Sequence, residues 1–100
     1  MRPPTERAIS ESWNLLNKIP NVRVDFADLV LLKRGEVVPD ESHYLSHRVT
    51  DLVKMWKEKP QNIPPIVVDE NNKIIDGHHR FAAAGKAKVP AMYVLRGSIR

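Results

Sequence analysis

The stretch Ile74-Ile75-Asp76-Gly77-His78-His79-Arg80-Phe81-Ala82-Ala83-Ala84 decides how this chain is read. Two β-branched residues run into an Asp-Gly pair, and an alanine-rich run follows. β-Branched residues suit a strand, glycine opens positive φ, and alanine is the strongest helix former. The segment therefore reads as a strand that bends sharply at Asp76-Gly77 into a helix from His78 to about Ala84. Gly85 falls in its C-cap region. The first N–H groups of such a helix lack intrahelical acceptors, and the helix dipole adds partial positive charge there. Together these make an anion site. Gly77 lets a ligand approach the backbone, Arg80 offers a fork of donors suited to phosphate oxygens, and His78 and His79 add imidazole donors that a phosphate would hold in the charged form. The competing plain reading is a common Asp-Gly turn in which Asp76 only caps the helix.

Working outward, Pro64-Pro65 breaks the chain before Ile66-Val67-Val68, a strand. Asp69-Glu70-Asn71-Asn72-Lys73 then holds a tight hairpin turn, because asparagine tolerates left-handed backbone. Downstream, Val89 to Leu95 is a closing strand. Upstream, Thr5 caps a first helix running to about Lys18, with Ile9, Trp13 and Leu16 on one face and Leu15 beside them. Val22, Val24 and Phe26 alternate with Arg23 and Asp25 as a short strand. The apolar run from Ala27 to Leu32 either extends that strand or begins a turn of helix, and periodicity does not decide. Lys33 to Asp40 is a loop containing Gly35 and Pro39. Asp40 or Ser42 caps a second helix to about Lys57, with Leu45, Val49, Leu52, Val53 and Trp56 on its apolar face. Lys57 and Lys59 suit the negative end of its dipole.

The chain has 100 residues, 42% of them hydrophobic, which predicts one globular domain. No run of about 18 apolar residues predicts a membrane span, and Met1 to Arg7 has no apolar signal segment, so cytoplasmic residence is expected. Cysteine is absent, which excludes disulfides and thiol chemistry. A net charge of +4 and a pI near 9.6 suit an anionic partner, although no block of like charges marks a DNA-coating surface.

The run from Ile63 to Val68, the hairpin, Ile74 to Ala84 and Val89-Pro90 together resemble the ParB/sulfiredoxin superfamily. The resemblance covers about residues 62 to 95. It implies an α+β single domain over residues 1–100: a small mixed sheet packed with about three helices, a helical extension over 1–20 and a core over 21–100. It also implies nucleotide phosphate bound at Gly77, His78, His79 and Arg80. In the partitioning proteins the turn reads Gly-Glu-Arg-Arg, so His78 stands at the glutamate position and His79 and Arg80 at the arginines. In sulfiredoxin it reads Gly-Cys-His-Arg, so His78 replaces the nucleophilic cysteine and sulfinic acid reduction is excluded. Asp76 to Arg80 is most similar to the Asp-Gly-His-His-Arg turn of free-serine kinases, whose additional substrate-binding portion has no counterpart here.

What the resemblance implies is a nucleoside triphosphate, ATP or CTP, with Mg²⁺ neutralising charge beside Arg80 and the histidines. Asp76 and His78 are the candidate catalytic groups, with Asp76 also the candidate metal ligand, since a bare carboxylate beside the phosphate would repel it. Glu36 is the candidate second carboxylate, with Asp40 and Glu41 as alternatives. His43 and His47, spaced i, i+4, form at most half a metal site, and Arg48 is a further phosphate candidate. Trp13, Trp56 and Phe81 are expected in the core. Three functions are carried forward: a nucleotide-binding NTPase or kinase, a DNA-binding module or ParB-like nuclease, and a non-catalytic regulator of the phage or plasmid type, with a homodimer among the partners considered.

Overall fold

The structure, a computed structural model, describes residues 2–25, 27–39 and 49–98. The helices are α1 (Glu6–Leu16), α2 (Val49–Glu58) and α3 (His78–Lys86); the strands are β1 (Ala27–Lys33), β2 (Ile66–Val68), β3 (Ile74–Asp76) and β4 (Ala91–Gly97). The four strands form one mixed sheet in the order β1-β4-β2-β3. β1 runs antiparallel to β4, β2 antiparallel to β3, and β2 parallel to β4. This is the small α+β domain with a mixed sheet and three helices that the sequence predicts. Among the described residues no helix is long and apolar enough to cross a membrane.

The sheet is covered on both faces. Trp56 of α2 and Ala83 and Ala84 of α3 pack with Ile66, Val68, Ile74, Met92 and Val94 on one face. Leu16 packs with Val67 and Leu95 on the other, flanked by Ile9, Trp13, Ile19, Val22 and Val24. A strand covered on both faces has no reason to alternate, and all three residues of β2 are buried. Each such side chain contributes about 1.5–3 kcal/mol of burial. Ala83 and Ala84 are fully buried, so the alanine-rich run lets α3 lie close against its neighbours. As expected, Trp13, Trp56 and Phe81 are packing residues.

The N-terminal helix follows its cap. Thr5 accepts the Ala8 N–H at 3.1 Å, and the Ser12 hydroxyl, fully buried, donates to the Pro65 carbonyl. That bond ties α1 to the chain entering β2. The helix ends at Leu16, two residues before the expected Lys18, in turns that lead to Asn21 at φ 64°.

Three expectations are corrected. Residues 22–25 form no strand, and Phe26 lies outside the described residues. The sheet instead takes up Ala27–Lys33, whose register with β4 begins at Ala27 opposite Gly97. Alternation signals one buried face, and Val22 and Val24 bury theirs against the second core without pairing. Second, Gly85 does not cap α3. The helix passes through it, and Lys88 at φ 58° takes the left-handed position, with Lys88 N–H bonded to the Gly85 carbonyl and Val89 N–H to the Ala84 carbonyl. This is a Schellman closure built on lysine. Third, Asp76 does not cap α3; Gly77 occupies the N-cap position. The start of the second helix, with Asp40, Glu41, Ser42, His43, Leu45, His47 and Arg48, lies outside the described residues.

The hairpin forms as the asparagines predict. Asn72 has φ 64°, and Asp69 Oδ1 accepts the N–H groups of Asn71 and Lys73 at 2.8 and 2.9 Å. This turn returns the chain through β3 and delivers Asp76 to the start of α3.

Candidate functional site

The corner between β3 and α3 is built on Gly77. Its backbone sits at φ 106°, ψ 26°, a conformation open to glycine at little cost. A Cβ there would meet Arg80 Nη2 at 2.9 Å, Arg80 Nε at 3.1 Å and Ile66 Cγ1 at 3.1 Å. Glycine is thus required twice, by the turn and by the guanidinium folded back across it. The first intrahelical bond runs from Phe81 N–H to the Gly77 carbonyl at 2.9 Å. The N–H groups of His78, His79 and Arg80 therefore lie ahead of the helical ladder, and Gly77 has no side chain with which to cap them.

Arg80 is 7% exposed. Side chains on a helix lean toward its N-terminus, which returns the guanidinium to the turn before α3. There Nη1 donates to the Pro64 carbonyl at 3.0 Å and Nη2 to Asp76 Oδ2 at 3.3 Å. The Arg80 carbonyl accepts the Trp56 indole N–H at 2.9 Å, so α2 holds the same residue from behind. Burial pushes the guanidinium pKa down, and the Asp76 carboxylate opposes that shift; the group stays charged. Two of its donors are thereby committed within the fold.

Asp76 consequently meets a cation before any ligand arrives. The repulsion it would exert on a phosphate is offset by Arg80, and the positive field left at the corner comes from the start of α3. His78 and His79 are half-buried, with the Nε2 of His78 shielded from solvent.

The corner opens on a cavity of about 570 Å³, lined by Ile74, Ile75, Asp76, Gly77, His78, His79 and Arg80, and by Leu15 and Ile19 from the N-terminal region. The structure thus brings together Asp76, Gly77, His78, His79 and Arg80. It does not bring Glu36 to them. Glu36 is exposed at the end of β1, where its carboxylate accepts the Lys33 N–H at 3.1 Å and closes a short 3-10 turn, and it is not a lining residue. Among the described residues no cluster of three His, Cys, Asp or Glu side chains stands ready for a metal. Mg²⁺ needs only one or two protein carboxylates when phosphates complete its shell. Asp76 therefore fits a metal that arrives with a nucleotide.

Leu15 and Ile19 are the lining residues that sequence reasoning missed. The available signal was Leu15 itself, an apolar residue beside the stripe of Ile9, Trp13 and Leu16; it is 40% exposed, because it faces the cavity and not the sheet. The Pro64 carbonyl was missed as well, since a backbone acceptor has no sequence signature.

The architecture and this corner define a small three-layer α+β domain with a glycine turn feeding a helix start. Its fold is that of the ParB N-domain. A solved C2221 form of a pNOB8-like ParB N-domain superposes with a TM-score of 0.62 at 20% identity, over 74% of this chain and 31% of that one. A second structure of the pNOB8-like ParB N-domain superposes with a TM-score of 0.60 at 19% identity, over 74% of this chain and 28% of that one. The chain thus spans less than a third of the length of these structural neighbours. Its sequence matches no family model and no curated protein.

Proposed function

We propose that the Gly77 corner binds a nucleotide through its phosphate. The N–H groups at the start of α3 and the His79 imidazole take the phosphate, and Leu15 and Ile19 take the less polar part of the ligand. The single observation carrying this reading is the convergence of the α3 start, whose N-cap residue is Gly77, and that apolar pair on one cavity of about 570 Å³. Ligand sites of this kind span roughly 300–1,000 Å³ and join apolar walls to a few placed polar groups. Arg80 acts as the positioning residue that neutralises Asp76 and supports Gly77. Where the nucleotide is a triphosphate, Asp76 would help hold an accompanying Mg²⁺ ion, which would supply charge neutralisation for hydrolysis or transfer of the terminal phosphoryl group. In such a reaction His78 and Asp76 would hold or move the proton.

Calorimetric titration with ATP and with CTP, each with and without Mg²⁺, tests this. Binding is expected, and His79→Ala should weaken it by about tenfold or more, the worth of one charge-assisted hydrogen bond. Circular dichroism verifies that the variant is folded. Failure of both nucleotides to bind at millimolar concentration, or an unchanged affinity in His79→Ala, overturns the assignment. The net charge of +4 supports a second reading, in which the corner grips DNA backbone phosphate. Affinity for DNA that falls steeply with salt, without nucleotide binding, would select it.

A further inference from the structure

The two edges of the sheet are finished differently. On the β3 side, Val38 lies alongside Lys73: the Val38 N–H bonds to the Asn72 carbonyl at 2.8 Å, and the Ile74 N–H to the Val38 carbonyl at 2.9 Å. That edge has a partner at its start. On the other side β1 is the terminal strand, no described strand pairs with its outer edge, and at its end Glu36 Oε1 accepts the Lys33 N–H at 3.1 Å. Arg34 N–H bonds to the Pro90 carbonyl. Counting back in steps of two, Leu32, Val30 and Asp28 turn their backbone groups toward β4. Ala27, Leu29, Leu31 and Lys33 turn theirs outward.

Natural edge strands are commonly blunted by inward charges, prolines, bulges or short length. β1 runs seven residues without proline, in unbroken register with β4. Its solvent side carries Leu29 and Leu31, 37% and 53% exposed. Its charges are polarised, with Asp28 near one end and Lys33 and Arg34 at the other.

We propose that β1 pairs antiparallel with β1 of a second copy of this chain, joining two four-stranded sheets into one across a two-fold axis. A two-fold perpendicular to the sheet keeps its faces matched. Centring the axis on Val30 sets Leu29 opposite Leu31 of the second copy and Ala27 opposite its Lys33. All four outward-facing residues then pair, forming about six backbone hydrogen bonds while each Lys33 N–H stays with Glu36; moving the centre by one residue in either direction leaves only three such pairs. The two exposed leucines meet across the seam. Asp28 comes diagonal to Arg34 of the second copy, within reach of long side chains. Antiparallel pairing sets acidic end against basic end at both extremities, whereas parallel pairing would set like charges together. The β1 edge lies outside the residues lining the nucleotide cavity, so this inference is independent of the proposed function.

Sedimentation equilibrium from about 10 μM to about 1 mM, with amide hydrogen exchange at both ends of that range, tests the pairing. The expected result is a species of twice the 11.4 kDa monomer mass, with concentration-dependent protection of the Ala27, Leu29 and Leu31 amides. Leu31→Lys, at an exposed position, should lower the association constant by about tenfold or more, because the charge enters the seam twice, with circular dichroism unchanged. Raising salt should weaken the dimer. A chain that stays monomeric throughout overturns the proposal and leaves the edge for a different partner. So does a dimer that forms without protecting those amides, or one that Leu31→Lys leaves intact.

Discussion

Replacing Gly77 by alanine isolates the physics of the corner. The left-handed backbone costs a residue with a Cβ about 1–2 kcal/mol. The new methyl group would also stand 2.9 Å from Arg80 Nη2 and 3.1 Å from both Arg80 Nε and Ile66 Cγ1. An exposed arginine would swing aside, but this one is tied to the Pro64 carbonyl and to Asp76. Retreat weakens hydrogen bonds of a charged group worth about 1.5–3 kcal/mol. The sum is a destabilisation of about 2.5–5 kcal/mol. For a domain of this size each kcal/mol moves the melting temperature by about 4–8 °C, so a fall of at least about 10 °C is expected. Urea unfolding, with the slope unchanged, converts the midpoint to free energy. Gly85→Ala supplies the internal control. A Cβ at Gly85 meets nothing within 4 Å, and the residue lies inside α3, so alanine should stabilise by about 0.5–1 kcal/mol. A Gly77→Ala stability within about 0.5 kcal/mol of the parent, about the scatter of a surface substitution, would refute this account, because the turn would then have both the room and the backbone freedom for a Cβ.

Two further perturbations follow from the same geometry. Arg80→Ala should cost about 3–5 kcal/mol in chemical denaturation, since it strands Asp76 and the Pro64 carbonyl together; a loss below about 1 kcal/mol would mean that the guanidinium is not a structural strut. Lys88→Gly should raise the melting temperature by about 2–8 °C, because glycine takes the φ 58° position without the Cβ penalty, and a lowered melting temperature would argue against the Schellman closure.

The strand, hairpin and helix from Ile66 to Ala84 were legible because local chemistry and tertiary position agree there. The asparagines suit the turn that forms, Gly77 suits the positive φ, and the alanines suit close packing. The alternation of Val22 and Val24 misled because a half-buried irregular segment and a paired strand show the same pattern. The apolar run after Phe26 was ambiguous for a related reason, and its pairing with β4 resolves it. Gly85 misled because the φ 58° position falls three residues later, on lysine, where packing of Val89 and Ala84 in the same core compensates. Glu36 lies upstream of the well-matched region, where the resemblance is loose, and folding uses it to close a turn at the far end of β1.

Sequence alone determined the element types around the corner, the need for glycine at 77, and the concentration of imidazole and guanidinium groups at one helix start, because each is set by a few neighbouring residues. Tertiary structure alone decided which donors face the cavity and which are spent within the fold. Arg80 reaches Pro64, Trp56 and Asp76 only once α2, β2 and α3 have packed, and Leu15 and Ile19 join the cavity only through the docking of α1. Contacts between distant residues depend on where whole elements come to rest, and no local window of sequence carries that information.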